Sequence, residues 1–293
     1  MPSSKLSIRF YNDREVRAIW DEEKSQWWFS VLDVVWAIKE QDDYTKNRNY
    51  WKYLKNKLKN EAPELVSATN QLKLLAPDGK HRLTDVISQE GVSELAKHYP
   101  NNRAASFLDW FTYSDNSIDG QSRKKAYTFI ESNLVADSDV GTVKALQQIH
   151  AYIFGGLYDF AGKIRTKSIS KGGTMFCLAE YLQDNLKNIE QMPQNTFDEI
   201  VGKYVEMNVA HPFMEGNGRS TRIWLDLIFK KSLKKCVDWS QIDKNDYLNA
   251  MRKSIVDDTE IRSLLRTALT DRIHDRELFM KGIDYSYYYE QNY

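Results

Sequence analysis

A short loop in the C-terminal half carries residues suited to holding phosphate. Residues 211–219 read HPFMEGNGR and lie between an amphipathic stretch and an apolar one. Proline ends a helix because it lacks an N–H donor, and Gly216 and Gly218 permit backbone angles that other residues resist. Backbone N–H groups in such a loop can point inward together and bind an anion. The helix that begins at Arg219 adds the partial positive charge of its N-terminus, so the loop predicts a phosphate site.

The side chains of the loop have matching chemistry. Arg219 can bind phosphate oxygens through two N–H groups, and Arg222 shares its helical face one turn later. Glu215 is an oxygen ligand suited to Mg²⁺ that also contacts nucleotide phosphates. Asn217 offers an amide donor to a phosphate oxygen. His211 is the one group here that can take a proton near neutral pH, so we predict that it is a general base.

The elements around this loop are predicted to be helical. Mostly apolar residues at helical spacing line two helix faces. The first face has Val143, Leu146, Ile149, Ile153 and Leu157. The second has Phe197, Ile200, Val201, Tyr204 and Val205, followed by the polar Asn208. Residues 223–229 are apolar nearly all round, which predicts a central buried helix. The exception is residues 168–177, where Gly172 and Gly173 indicate a β-hairpin turn.

The first 114 residues predict a mixed α and β domain. Alternation and turn residues indicate strands, with a hairpin turn at Asn12 and Asp13, while helical spacing indicates helices. The predicted strands cover residues 7–12, 15–20, 27–31 and 72–75, and the predicted helices cover residues 32–39, 84–97 and 102–111. The polar stretch 113–122 predicts a domain boundary, which gives domains 1–114 and 115–293.

Composition narrows the classes of partner and location. The 293 residues have a formal net charge of zero, so no whole-molecule field favours nucleic acid or an anionic membrane. No apolar run approaches the roughly 20 residues that span a bilayer. Residues 1–6 lack the apolar core of a signal peptide. We therefore expect a cytoplasmic protein without a membrane partner.

The pattern H-P-F-x-E-G-N-G-R-x-x-R, from His211 to Arg222, resembles that of the Fic family. The resemblance extends from about Ser117 to the C-terminus. It implies a mainly α Fic domain with a small β-hairpin flap, following an α+β N-terminal domain. Three further stretches are similar to compact bacterial Fic proteins that have a C-terminal inhibitory helix, namely residues 146–150, 154–162 and 286–290.

The resemblance implies a reaction and roles for the loop residues. Most Fic enzymes transfer AMP from ATP to a Ser, Thr or Tyr hydroxyl of a target protein and release pyrophosphate. By this resemblance His211 deprotonates the acceptor hydroxyl, Glu215 holds Mg²⁺ and Arg222 steadies the γ-phosphate. The implied anion hole consists of Gly216, Asn217, Gly218 and Arg219. The implied flap that docks the target backbone consists of Gly172, Gly173, Thr174 and Met175.

The resemblance also implies regulation by the C-terminus. Ser286 and Glu290 are four residues apart, so they share one face of a helix. In the similar group this helix packs against the active site, and its glutamate pairs with the second arginine of the motif, here Arg222. ATP can then still bind, with its α-phosphate misaligned for attack. A homo-oligomer associating through this region is a further implication.

Other functions remain open. Fic relatives can also phosphorylate, transfer UMP or phosphocholine, or remove AMP. Residues 16–19 and 28–34 resemble Bro-N domains of phage antirepressor-like proteins, which are associated with DNA binding. Residues 44–60 hold six Lys or Arg and no acid, and could contact DNA phosphates. A DNA-binding regulator whose Fic domain senses nucleotide is therefore an alternative, as is a target-recognition or scaffold role. Type II topoisomerase subunits are candidate targets by resemblance alone.

Overall fold

The computed structural model describes residues 6–40, 43–76, 80–99, 102–132, 134–171 and 173–291. Over these residues the chain forms two compact units, and the boundary in the sequence lies between Ser117 and Ile118. Each unit encloses its own buried apolar core. No helix in the described ranges is long and apolar enough to cross a bilayer.

The N-terminal unit is built on a five-stranded antiparallel sheet in the order β1-β2-β3-β5-β4. The strands are β1 Leu6–Tyr11, β2 Arg14–Asp21, β3 Gln26–Ser30, β4 Asn70–Leu75 and β5 His81–Ser88. Asn12 and Asp13 make the first turn with φ of 46° and 61°. Short polar side chains tolerate this left-handed region, so the predicted hairpin turn is confirmed.

Five helices accompany this sheet: α1 Val31–Lys39, α2 Tyr44–Glu61, α3 Pro63–Ser67, α4 Gln89–Lys97 and α5 Asn102–Tyr113. The helix predicted from residue 84 was wrong over residues 84–88, which form most of β5. Val86 and Ile87 are fully buried and pair with Ser30 and Phe29 of β3. Their burial in the sheet outweighs the helical spacing that continues into α4.

The C-terminal unit is mainly helical. Its helices are α6 Ile118–Ser132, α7 Val143–Phe154, α8 Ala179–Gln191, α9 Phe197–Ala210, α10 Asn217–Leu233, α11 Lys244–Lys253, α12 Thr259–Ala268 and α13 Arg276–Tyr288. Strands β6 Ser170–Lys171 and β7 Thr174–Met175 form the predicted hairpin. A second small ladder, β8 Cys236–Val237 with β9 Leu269–Thr270, was not predicted. The predicted α+β unit followed by a mainly α unit with a hairpin is confirmed.

Helix α10 lies at the centre of the C-terminal core, as its apolar sequence predicted. Trp224, Leu225 and Phe229 are fully buried, and helices α7 and α9 pack beside them. Leu157 was wrongly placed on the face of α7, because that helix ends at Phe154. The glycines that follow break it, and Gly156 adopts a φ of 76°.

Candidate active site

The predicted phosphate-binding loop, residues 211–219 and here called the phosphate loop, connects the end of α9 to the first turn of α10. His211 ends α9 in the left-handed region, with φ 47° and ψ 63°. Gly216 precedes α10 with φ 78°, and a Cβ there would lie 2.3 Å from the ring of Phe154. Only glycine fits this position. Gly216 therefore fixes the residue at which α10 begins. The first N–H groups of a helix have no partners within the helix, so those of α10 are available to bind an anion.

Asn217 closes the loop on itself. Its side-chain oxygen accepts from the Phe213 N–H at 2.8 Å, and its side-chain nitrogen donates to the Phe213 carbonyl at 2.7 Å. The amide is thus committed to the backbone, and the residue is only 3% exposed. One N–H of the side-chain amide is used in the bond to Phe213, and donation by this amide to a phosphate oxygen stays a prediction. The backbone N–H of Asn217, at the first position of α10, remains suited to that role.

Phe213 anchors the loop in the core against His150. Phe213 is fully buried, and the two rings stack with their centroids 3.8 Å apart. His150 accepts from the Gly162 N–H at Nδ1 and donates from Nε2 to the Glu215 carbonyl at 2.9 Å. Burial lowers the pKa of His150 to about 4, so the ring is neutral and structural.

Arg165 fixes the other side of the loop without any carboxylate partner among the described residues. Its Nε donates to the His211 carbonyl at 2.8 Å, and its Nη2 donates to the Ala210 carbonyl at 3.0 Å. It also donates to the carbonyls of Lys167 and Cys177. The side chain is 4% exposed, and burial lowers its pKa. A buried guanidinium therefore holds the backbone around His211 in place.

His211 has the protonation state that a base requires. Its Nδ1 lies 3.2 Å from the Asn208 carbonyl, which can only accept, so Nδ1 carries the proton. Its Nε2 finds no hydrogen-bond partner among the described residues. The ring stacks on Phe176, with centroids 3.6 Å apart. Burial lowers the pKa of His211 to about 4, so Nε2 is an available acceptor at neutral pH.

Arg219 lies between carboxylates. Its Nη1 bonds to Asp119, its Nη2 lies 3.0 Å from Glu215 Oε1, and its guanidinium lies over the Phe154 ring. Although burial lowers the pKa of Arg219, the neighbouring Asp119 and Glu290 raise it above its usual range. The arginine thus stays charged and is positioned beside the N-terminus of α10.

Glu215 fits a magnesium ion that takes most of its ligands from a nucleotide. Oε1 is occupied by the Gly216 N–H and by Arg219, both at 3.0 Å, and the side chain is 46% exposed. No cluster of His, Cys, Asp and Glu in the described ranges could hold a metal ion alone. A single carboxylate suits Mg²⁺, which commonly binds through one or two carboxylates together with substrate phosphates and water.

Arg222 is bound by the C-terminal segment. Its Nε donates to the Ser286 hydroxyl, and its Nη2 donates to the Ser286 carbonyl and to Glu290 Oε1, all at 2.7 Å. Burial raises the pKa of Glu290, but Arg222 and Arg219 outweigh it and lower that pKa to about 2. The pair is therefore fully ionised at neutral pH. Helix α13 ends at Tyr288, so Glu290 lies in the turn beyond it rather than on the helix face.

The Glu290 carboxylate also lies against the first turn of α10. A Cβ on Gly218 would lie only 2.1 Å from Glu290 Oε1. The carboxylate thus occupies the kind of place that an anion takes at a helix N-terminus. Its other oxygen lies 3.6 Å from Lys171 of the hairpin. The Glu290 carboxylate, the first turn of α10 and the hairpin therefore meet at this point.

These groups share one cavity of about 580 Å³. It is lined by His211, Glu215, Asn217, Gly218 and Arg222, by the hairpin residues Lys171 and Thr174, and by Glu290. Ligand pockets are usually about 300 to 1,000 Å³. The structure thus brings together the predicted base, the acidic residue, the helix N-terminus and the C-terminal segment.

Residues 141–229, which span this loop, match the Fic/DOC family. Among curated proteins, the chain is 28% identical over 138 residues to the protein adenylyltransferase VbhT of Bartonella schoenbuchensis, covering 43% of this chain and 29% of VbhT. It is 27% identical over 146 residues to the probable protein adenylyltransferase y4lH of Sinorhizobium fredii, covering 44% of this chain and 74% of y4lH. The match to the Fic/DOC family therefore covers the loop of residues 211–219 and the helices on both sides of it.

Coverage of the relatives is partial. The match spans less than a third of VbhT. A solved structure of the BepC protein of Bartonella tribocorum, with bound AMPPNP, is also similar, at 17% identity and a TM-score of 0.47. That similarity covers 56% of this chain and 89% of BepC.

The hairpin that lines the same cavity is small and exposed. Ser170 pairs with Met175 and Lys171 pairs with Thr174. Gly173 supplies a turn position with φ 80°, and Met175 is 64% exposed. Gly172, which we also assigned to this flap, lies outside the described residues. The role of the hairpin in docking a target stays a prediction.

Several residues that shape the candidate site were not predicted. Arg165, Asp119 and Phe176 lie outside the motif, and each contacts a motif residue. Tyr247 lies 3.2 Å from Arg222 Nη1 and stacks on Tyr289. No spacing rule points to Arg165, because its acceptors are backbone carbonyls. Asp119 lies in the polar stretch 113–122, which we interpreted as a domain boundary, so no role for its side chain was predicted.

Proposed function

We propose that the C-terminal unit transfers AMP from ATP to a Ser, Thr or Tyr hydroxyl of a target protein. The observation that carries this proposal is the neutral His211, which lines one cavity together with Glu215 and the N-terminus of α10. The relatives named as protein adenylyltransferases support AMP as the transferred group. The positioned base and the anion site together match a nucleotidyl transfer.

His211 is placed to move the proton in this reaction. The acceptor hydroxyl donates to Nε2 of His211, and its oxygen attacks the α-phosphorus as the proton passes to the ring. The bond between the α-phosphorus and the bridging oxygen breaks, and pyrophosphate leaves. The first N–H groups of α10 and the guanidinium of Arg219 stabilise the charge on the phosphate oxygens. Mg²⁺ held by Glu215 would neutralise further phosphate charge.

The contact between Glu290 and Arg222 restrains this reaction. Glu290 occupies one nitrogen of the Arg222 guanidinium and lies against the first turn of α10. Phosphate groups of a bound nucleotide need the same positive groups. With Glu290 in place, ATP binds with its α-phosphate out of line for attack. The restraint thus acts on reaction geometry more than on affinity.

ATP labelled in different phosphates tests the reaction. The Glu290→Gly protein is incubated with Mg²⁺ and a bacterial lysate, using ATP labelled at the α-phosphate or, separately, at the γ-phosphate. AMP transfer leaves label on protein only from α-labelled ATP. Label from γ-labelled ATP alone would instead identify phosphorylation. Purified type II topoisomerase subunits are the first candidate targets, by resemblance.

DNA binding by the N-terminal unit is a second candidate function. Helix α2 buries Trp51, Leu54 and Leu58 and exposes Arg48 and Lys52 with other basic residues. Basic side chains on one helix face can contact phosphates without reading sequence. Fluorescence polarisation with duplex DNA tests this. Binding that weakens with salt and with Lys52→Glu supports it, and no binding at low salt excludes it.

A further inference from the structure

A second cavity lies behind α13, away from the proposed chemistry. This back pocket has a volume of about 380 Å³. Its apolar walls come from α6, α10, α13 and the segments near β8 and β9, and they include Phe129, Val140, Leu227, Trp239, Leu278 and Ile283. Arg222 lines both this pocket and the active-site cavity, and Ser286 lines the back pocket. The pocket therefore touches the restraining contact from its far side.

A smaller cavity adjoins the back pocket. A neighbouring cavity of about 240 Å³ shares Ile130, Phe279 and Ile283 with it and continues past Met280. The two cavities adjoin along α13. Two adjoining cavities along one helix have room for a flexible chain.

The rim of the back pocket is basic. Lys230, Lys231 and Lys234 of α10 line it together with His274. None of these lysines forms an ion pair with a carboxylate in the part of the chain that the structure describes. Lys230 Nζ lies 5.3 Å from the centre of the Phe279 ring, at the edge between wall and rim. The rim is thus suited to an anionic group.

Two acidic residues, the exposed Asp137 and the buried Asp226, also line the back pocket. Asp226 accepts from the Val237 N–H at 3.0 Å and from Trp239 Nε1 at 2.8 Å. Burial raises the pKa of Asp226 to about 7, which reduces the charge that would repel an anion. The interior is therefore suited to an apolar group. The three lysines of the rim outnumber Asp137, the one exposed carboxylate among the lining residues that the structure describes, so the rim is suited to a negative group.

We propose that the back pocket binds an acyl-chain carboxylate, with its chain between α6, α10 and α13 and its carboxylate at Lys230 and Lys234. The pocket exists with α13 docked, because Leu278, Phe279 and Ile283 form one wall. A ligand that fits this wall binds the docked state and stabilises it. Occupancy therefore strengthens the contact between Ser286, Glu290 and Arg222 and lowers AMP transfer. The binding is independent of the proposed function, whereas this effect rests on it.

Calorimetric titration with dodecanoate, below its micelle concentration, tests the site. We expect one molecule bound per chain, and we expect dodecyltrimethylammonium, a cation with the same chain, to bind at least about tenfold more weakly. The double variant Lys230→Glu with Lys234→Glu should bind dodecanoate at least about tenfold more weakly than the wild type. The matched variant Lys235→Glu, whose side chain does not line the pocket, should stay within about twofold.

A second set of variants tests the location. Leu227→Trp fills the pocket and should abolish saturable binding, with the fold checked by circular dichroism. Truncation after Lys281 removes part of the wall and should weaken binding likewise. Unchanged binding in both variants, or in the double lysine variant, would overturn the proposal. If no transfer activity is found at all, the proposed function fails while the binding result still decides this one.

Discussion

The phosphate loop and the neighbouring hairpin line the same cavity but are held in opposite ways. The loop is fixed by buried groups: Phe213 stacks on His150, Asn217 closes the turn, and Arg165 donates to the surrounding carbonyls. The hairpin has only two paired positions on each strand, and Met175 is exposed. Fixed geometry suits a reaction that is the same for every acceptor. An adaptable edge suits recognition of a target chain.

Among substitutions in the loop and the hairpin, we expect replacement of His211 to reduce the rate of transfer most. His211→Ala should reduce transfer by about 10² to 10⁴, the usual contribution of general-base catalysis. ATP binding should change little, because the proposed phosphate contacts lie on α10. Rates are measured with α-labelled ATP in the Glu290→Gly background, with His81→Ala as the matched control. Near-normal transfer by His211→Ala would remove the base from the mechanism.

Because Arg165 holds the backbone of the loop in place, we expect its replacement to lower the stability of the fold strongly. Arg165→Met removes the donor to buried carbonyls and should lower the free energy of unfolding by about 3 kcal/mol. The matched variant Arg266→Met, at an exposed ion pair, should lower it by less than about 1 kcal/mol. Thermal unfolding followed by circular dichroism measures both. Equal melting temperatures for the two variants would show that the loop does not depend on Arg165.

The environment of His211 predicts a flat pH profile. Its pKa of about 4 lies below the ordinary value, so the neutral form persists until the pH falls through about 4. Transfer by the Glu290→Gly protein should therefore hold between pH 7.5 and pH 5.5. A histidine with the ordinary pKa of about 6.5 would lose about tenfold over that range. Glu290 raises the pKa of His211, so its removal works in the same direction. A midpoint near pH 6.5 would contradict the buried, neutral ring.

The hairpin predicts the smallest and most selective effect. Thr174→Pro removes a backbone donor from β7 and should reduce target labelling about fivefold, the effect of roughly one hydrogen bond. ATP binding and self-labelling should change less. Thr174→Val keeps the backbone donor and serves as the control. A parallel loss of target labelling and ATP binding would indicate a folding defect rather than a docking edge.

The sequence predicted the loop because its chemistry is consecutive. The helices around it also followed from apolar spacing, as Phe197 to Asn208 shows for α9. Asn217 was placed correctly in the loop, but the bonds of its side chain to the Phe213 backbone were not predicted. Short amides bond to nearby backbone, and the Phe213 N–H and carbonyl satisfy both ends of this one.

Contacts between segments that are distant in the chain could not be predicted from residue types and spacing. Arg165 reaches the loop through carbonyls, which every residue carries, so its partners leave no mark in the residue types. The strand β5 was misread as helix because Val86 and Ile87 are compatible with either element until the sheet is known. The pairing of Glu290 with Arg222 followed from the family resemblance, since they are far apart in the chain.

The central claim is that the protein is a transferase restrained by its own C-terminal segment. Substitution of Glu290 tests this claim most directly. The wild type, Glu290→Gln and Glu290→Gly are compared for the rate of AMP incorporation from α-labelled ATP. Glu290 stays ionised until the pH falls towards about 2, so the contact is intact in the wild type at pH 7.5. We expect Glu290→Gly to be at least about tenfold faster than the wild type, equivalent to about 1.4 kcal/mol on the barrier, with Glu290→Gln between them. Equal rates in all three proteins, with the fold intact by circular dichroism, would contradict the account.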